Sequence, residues 1–383
     1  MVSHADKTEL AAWLRLTLEP DVGPVRARAL LAAFGLPPQI FDQPAATLRR
    51  HVSADLAHQL SLPPSDATLA TIDRTLAWLQ QPTHQIITLA DPSYPPQLLD
   101  MTDPPILLYA IGNAQLLQQP ALAIVGARHA TPGGQDNAHA FARHLATAGW
   151  TIISGLAAGI DGAAHEGALL AGSQGGSTIA IGGTGLDVVY PARHRELAHR
   201  IAGQGLLISE LPLGTRASAF QFPRRNRIVA GLSKGVLVVE AARKSGSLIT
   251  ARLASELGRE VFAIPGSIHS PLSRGCHALI QQGAKLVESA HDIHDELQQP
   301  ELAAIGAVPD VDAMATAGNV SVTPDGLGDQ ERQVLEALGH DTLHADILVE
   351  RTHLDAARVT AVLTTLELQD VVARLSDGRW QRL

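Results

Sequence analysis

Cysteine is nearly absent from this 383-residue chain: Cys276 stands alone. A single thiol excludes an internal disulfide and any cysteine-built metal site, and it fits a reducing cytosol. Aromatic residues are scarce as well, at 3%. The core must therefore come from Ala, Leu, Ile and Val, which the 45% hydrophobic content supplies amply. No run reaches about 18 apolar residues, so no membrane-spanning helix is expected. Residues Met1 to Leu10 carry Asp6 and Glu9 without an apolar stretch, so no signal peptide is expected either. The dinucleotide fingerprint Gly-x-Gly-x-x-Gly and the Gly-Lys-Ser/Thr phosphate loop are both missing, which argues against NAD and ATP. No nucleophile, metal cluster or general base stands out beside the basic motifs described below. Binding is expected more than turnover, with no cofactor and no metal.

The net charge of −9, taken alone, argues against nucleic acid. Its distribution reverses that inference. Residues 121–290 hold 16 Lys+Arg against 10 Asp+Glu, a net of +6, while the remainder holds 13 against 28, a net of −15. Acidic flanks around a basic middle keep a protein soluble while confining the positive field to one region.

The chain divides into four stretches. Residues 1–80 read as short helices, with a Gly23-Pro24 turn opening an amphipathic helix. That pattern resembles a helix-hairpin-helix or sterile-alpha-motif bundle. Its turn fits either a phosphate contact or a plain structural cap. Residues 81–297 begin with a proline-rich lead-in (Pro92, Pro95, Pro96, Pro104, Pro105) that includes a strand near Ile106–Ala110. Strand-like apolar runs then alternate with helical patterns, the signature of an α/β fold with a parallel sheet. Strands are expected at 121–125, 151–153, 177–181, 206–208, 236–239, 261–264 and 285–288. Helices are expected near 134–148, 160–171, 193–203, 225–232, 248–257 and 275–282. Residues 298–326, rich in Gly, Pro, Ala and Asp, read as a linker. Residues 327–383 read as three helices and a hairpin turning at Ser376-Asp377-Gly378, the order of a winged helix. This last stretch carries 6 Lys+Arg against 10 Asp+Glu, and its would-be recognition helix, 355–369, has one cation, Arg358. A major-groove reader is basic, so a protein-interaction or regulatory role competes with duplex binding and transcriptional regulation here.

Four loops at the carboxyl ends of the expected strands carry the chemistry, because ligands of open parallel sheets bind at that edge. Gly126-Ala127-Arg128 pairs a glycine for close approach with a planar, permanently charged fork. Ser154 and Gly155 leave a strand and lead to a helix whose N-terminus is an anion seat, with Asp161 as a cap. His165, a turn later, is either a base or a packing residue. The run Phe220-Gln221-Phe222-Pro223-Arg224-Arg225-Asn226-Arg227 puts three arginines and an asparagine behind two phenylalanines. Helical neighbours point about 100° apart, so the three arginines cannot share one groove. Arg225 is the first choice for ligand contact, and Asn226 serves either the ligand or the loop. Lys244-Ser245-Gly246-Ser247, before the next helix, makes another phosphate seat. Glu240 is a lone carboxylate that either orients Arg128 or Arg225 or, as the lesser alternative, serves as a general base. Cations, exposed N–H groups and flat side chains are the parts that hold a phosphate backbone and stack bases.

Together these motifs resemble the DNA-processing protein A family (DprA, also called Smf). The resemblance runs from Tyr94-Pro95 and Pro104-Pro105 through Gly126-Ala127-Arg128, Ser154–Asp161, Tyr190-Pro191 and Phe222–Arg227. It continues through Val239-Glu240-Ala241, Lys244–Thr250 and Val261–Gly266 to Leu279–Ala284. Two departures stand out: Ala127 replaces a serine, and His277 replaces an asparagine. Neither removes a cation.

The resemblance implies an extended Rossmann-like domain that binds single-stranded DNA. It further implies a cytoplasmic homodimer that loads the RecA recombinase during natural transformation. Arg128, Arg225 and Lys244 would carry phosphates, and N–H groups of Gly126, Ser154 and Gly155 would add neutral contacts. Arg224, Asn226, Ser245 and Gly246 complete the expected site. A related enzyme class, the nucleotide phosphoribohydrolases, is the competing reading. Gly182-Gly183-Thr184-Gly185 echoes its glycine loop only in part.

Overall fold

The computed structural model describes residues 4–172, 175–297, 328–338 and 342–383. One sheet organises residues 84–286, with strand order β1-β2-β6-β5-β4-β3-β7-β8-β9. Its strands are β1 (His84–Thr88), β2 (Leu107–Gly112), β3 (Ala121–Val125), β4 (Thr151–Ser154), β5 (Thr178–Ile181), β6 (Leu206–Ser209), β7 (Gly235–Val238), β8 (Glu260–Ala263) and β9 (Lys285–Leu286). From β6 to β9 every pairing is parallel. Each strand expected in this region is present with ends displaced by at most two residues. The central strands read as unbroken apolar runs because helices cover both sheet faces. Along β3, Ala123 and Val125 enter one core with Ile153, Val236 and Val238. Leu122 and Ile124 enter the other with Ile152 and Leu237. That alternation is the period of two that a pleated strand imposes.

The proline-rich segment does more than lie against this sheet. It adds two strands to it, with β2 antiparallel to β6 and β1 antiparallel to β2. The strand β1 is absent from the sequence expectation. His84-Gln85-Ile86-Ile87-Thr88 is short and mostly polar, and it gains its order from β2. Tyr94 anchors the loop between the two strands by donating its hydroxyl to Pro105 O at 2.6 Å.

The helices also lie where the patterns place them, with Ala290–Leu297 in addition. One start is instructive. The helix expected from 225 begins at Gln221 and runs to Leu232. Pro223 sits in its first turn, where a missing N–H removes no helical hydrogen bond. That earlier start sets which arginines face inward.

Connectivity positions the site. From β3 the chain moves outward through β4, β5 and β6, then returns to lay β7 on the opposite side of β3. Connections on the two sides of β3 therefore diverge, and a crevice opens at the carboxyl ends of β3 and β7.

Six short helices between His4 and Trp78 form the N-terminal unit. Its core, including Trp13, Leu14, Leu30 and Leu60, continues into Leu107, Tyr109 and Leu213. The expected linker, 298–326, lies outside the described residues. Beyond it come helices Asp329–Leu338, Ala345–Thr352 and Ala356–Leu368, then the hairpin β10 (Val372–Arg374) and β11 (Trp380–Arg382). Gly378, at φ 83°, closes the hairpin turn. Trp380, Leu363 and Val334 share the small core of this winged helix.

Candidate functional site

The crevice is built by close approach of three chain segments. A Cβ on Gly126 would lie 2.6 Å from Ile160 Cγ1 and 2.9 Å from Glu240 O, so only glycine fits where β3 ends. Gly159, at φ 77°, turns the chain beneath it, and Ile160 N–H donates to Ala127 O at 3.2 Å. This ties the start of the helix Ile160–Leu169 to the β3 loop. Between these segments and the helix Gln221–Leu232 lies a cavity of about 260 Å³. Gly126, Arg128, Phe222, Arg225, Asn226 and Gly246 are among its walls.

The floor of the cavity is largely committed to itself. Arg225 is only 5% exposed, and its Nη1 donates to both Gly155 O and Ile181 O. It thereby clamps the ends of β4 and β5 together. Burial lowers its pKa to about 10, partly offset by Asp161, so it remains charged at neutral pH. Asp161 accepts from Gly155 N–H at 3.1 Å and Ala157 N–H at 3.3 Å. Burial pushes its carboxyl above the ordinary range, against the pull of Arg225 and those two donors. Ser154 Oγ donates to Ile124 O at 2.6 Å.

The expectation of a free N–H donor at Gly155 therefore needs correcting. The Ser154 hydroxyl braces β3, and the Gly155 N–H already has an internal carboxylate as its acceptor. Asp161 caps the loop that precedes its helix rather than the helix itself, whose N-cap is Gly159.

Leu156, next in this loop, sits at φ 57°. A non-glycine residue there costs on the order of 1–3 kcal/mol and must be held. His165 and His194 hold it. The Leu156 N–H donates to His165 Nε2 at 3.3 Å, and its carbonyl accepts from His194 Nδ1 at 3.0 Å. His165 Nδ1 lies 2.8 Å from Thr178 Oγ1, whose own proton goes to Ile152 O. His165 is therefore the neutral Nδ1–H tautomer with both nitrogens used. Burial drives its pKa down to about 3. It is a packing residue with no proton to trade near neutral pH.

The rim is the opposite. Arg128, Arg224 and Lys244 are exposed, and among the described residues none of them forms a salt bridge or hydrogen bond. The Arg128 guanidinium lies 5.3 Å from the centre of the Phe222 ring. Phe222 in turn meets Tyr190 at 5.3 Å between ring centres. Tyr190 is 48% exposed and Phe220 is 67% exposed. A Cβ on Gly183 would come within 2.8 Å of Phe222, so the partial glycine echo at 182–185 serves as a seat for that ring. The Tyr190–Phe222 ring pair beside the Arg128 guanidinium makes a stacking platform, with Phe220 exposed two residues earlier in the chain. In the sequence Tyr190 is marked only by the family resemblance, because the intervening chain hides its proximity to Phe222.

The remaining candidates divide between rim and scaffold. Asn226 Nδ2 donates to Gly246 O at 3.4 Å and Nε of Arg225 donates to Asn226 Oδ1 at 3.2 Å, so Asn226 links the two loops. Ser245 Oγ lies 2.7 Å from Ser247 Oγ and accepts from Ser247 N–H. Gly246 is exposed, with nothing within 4 Å of where a Cβ would stand. Arg227 faces inward, paired with Glu210 and with Asp103 at 3.2 Å, and holds the proline-rich segment to the sheet. Glu240 orients neither Arg128 nor Arg225. Its carboxylate accepts from Thr131 N–H at 2.9 Å and Thr131 Oγ1 at 2.6 Å. Thr131 is the cap of the helix Pro132–Thr147.

Comparison with known proteins matches this arrangement. The family described as DNA recombination-mediator protein A covers residues 85–298, and the DprA winged helix domain covers residues 321–378. Protein Smf of Escherichia coli is 42% identical over 311 residues, 80% of each chain. The X-ray structure of DprA from Streptococcus pneumoniae superposes with a TM-score of 0.59 at 36% identity, covering 74% of this chain and 95% of that one. A Helicobacter pylori DNA processing protein A, whose structure concerns a unique single-stranded DNA binding mode, gives 0.51 at 33% identity over 56% of this chain and 96% of that one. With the sheet, the crevice loops and the winged helix all accounted for, the chain belongs to the DNA recombination-mediator protein A family, also known as DprA or Smf.

Proposed function

We propose that this protein captures single-stranded DNA at the rim of the crevice and delivers the strand to the RecA recombinase. The observation that carries this reading is a pair of exposed cations without a salt bridge, Arg128 in the cavity wall and Lys244 next to its wall residues Ser245 and Gly246, together with the Tyr190–Phe222 ring pair and the exposed Phe220 two residues before Phe222. Phosphates take the cations, and splayed bases take the rings. A duplex hides its base faces and cannot use the second element. Sequence preference is slight, because phosphate contacts and stacking carry little sequence information. Binding to single strands by the Helicobacter pylori relative, and the recombination-mediator description of the family, support the same reading. Delivery to RecA, a homodimeric state and a cytoplasmic setting follow from the family resemblance.

Binding without turnover fits the site chemistry. Two of the candidate proton carriers, His165 and Glu240, are held by Leu156 and Thr178 and by Thr131 respectively.

A salt titration of binding to fluorescent oligo-dT, against duplex of the same length, tests the proposal. Single strands should bind in preference, with affinity falling steeply as salt rises. Arg128→Ala and Lys244→Ala should each lower the salt slope by about 0.7 for every phosphate the side chain neutralises. Equal binding to duplex, or wild-type slopes in both variants, would overturn the assignment. Release of base from a nucleoside monophosphate would redirect it to the phosphoribohydrolases.

A further inference from the structure

A second concavity adjoins the crevice. It measures about 570 Å³, and its walls include Arg128, His129, Asp136, Glu166, Arg193 and His194. Arg128 lines both this groove and the smaller cavity, so the two meet at one guanidinium. A second link runs along the chain. Tyr190, whose ring meets Phe222 of the first cavity, precedes Arg193 of the groove by three residues, a span of at most about 11 Å. That is no more than about three stacked nucleotides at about 3.4 Å each.

The groove is shaped rather than incidental. A Cβ on Gly162 would lie 2.9 Å from His194 Cε1, so the glycine lets His194 settle on the helix Ile160–Leu169. His194 is fixed there by its bond to Leu156 O, the strained residue beside the cavity floor. The loop bearing Arg193 is thereby set at the groove's edge. Arg193 is exposed and, among the described residues, makes no salt bridge or hydrogen bond.

We infer that this groove is a second subsite for the same DNA strand, taking the nucleotides that flank the segment held in the crevice. The inference rests on the proposed single-strand binding. Arg128 and Arg193 receive the backbone at the groove's edges. Asp136 and Glu166 on the walls repel phosphate, so the strand passes with its backbone along the arginines and its bases toward the interior. The two carboxylates keep the subsite weak. The strand is then held firmly at the crevice and loosely next to it, where a partner can displace it.

The test is a ladder of oligo-dT lengths, from about 4 to about 16 nucleotides, titrated with salt against the full chain. The wild type should bind the shortest strands through the crevice alone and gain affinity and salt slope with length. Arg193→Ala should remove about 0.7 from the slope for long strands and leave short strands unchanged. Glu166→Gln should tighten long strands only, a gain that misfolding cannot mimic. A length dependence unaltered in both variants, or equal shifts for short and long strands, would overturn the subsite while leaving the crevice intact. No binding of short strands by the wild type would overturn the crevice reading instead.

Discussion

Arg225 and Arg128 lie in one cavity and do opposite things. Arg225 is buried in the floor, with two strand-end carbonyls as acceptors and Asp161 as its counter-charge. Arg128 stands exposed on the rim, resting on an aromatic ring and paired with nothing among the described residues. The floor is an interlocked polar network, whose members hold one another in place. The rim is a set of unmet partners. A basic motif can thus divide between architecture and recognition, and the position of each guanidinium decides which it serves.

The largest effect should come from breaking the floor. Arg225→Ala would strand Gly155 O, Ile181 O and a buried carboxylate, at a cost of about 3–5 kcal/mol. Denaturant unfolding should show it as a large drop in midpoint. Arg225→Ala at wild-type stability would abolish the distinction. Among the exposed rings, Phe220→Ala should weaken single-strand affinity by about 1–3 kcal/mol with thermal stability unchanged. An equal loss in stability would make Phe220 part of the fold.

The floor should also leave a mark on pH dependence. His165 has a folded pKa of about 3 against an ordinary 6.5. As pH falls through that window the unfolded chain takes a proton that the folded one refuses, so stability is full above about 6.5 and declines toward 3 by about 1.4 kcal/mol per unit. The raised carboxyls of Asp161 and Glu240 act in the opposite sense, favouring the folded state as pH falls. Denaturant midpoints of His165→Gln across this range should lose the histidine's share of the slope. An unchanged acid limb would show that His165 is not what shapes it. The smallest effect is expected from deleting residues 327–383, which should leave single-strand binding nearly intact. The lone cation of the helix Ala356–Leu368, Arg358, is already bonded to Gln330 at 3.0 Å. A large loss would place binding across both regions.

Much of the sheet was legible in the sequence, because strands covered on both faces must be continuously apolar and the loops between them carry Gly, Ser or Pro. The order of the winged helix was legible for a similar reason, with Gly378 marking the hairpin. What stayed hidden depended on direction and on distance along the chain. Three neighbouring arginines look alike in a string of letters. Their fates follow from a helix that begins at Gln221, which puts Gln221, Arg225, Ile228 and Leu232 on the inner face. Glu240 gives no local sign that its partner is Thr131. The donors of Ser154 and Gly155 look free until β3 and Asp161 are placed beside them.

The central position of β3 bears on how the protein is made. This strand pairs early with β4, but its other edge must wait for β7, with Leu122 meeting Gly235. During synthesis that edge, with its unpaired N–H and C=O groups, stays open while β5 and β6 are added on the far side. Closing so long a loop is entropically costly, and contacts of this kind slow folding. The half-built sheet is therefore a point of exposure to misassembly on the ribosome. The crevice, which needs loops from both β3 and β7, can exist only after that last central pairing. A nascent chain therefore cannot engage a ligand there before its sheet is sealed.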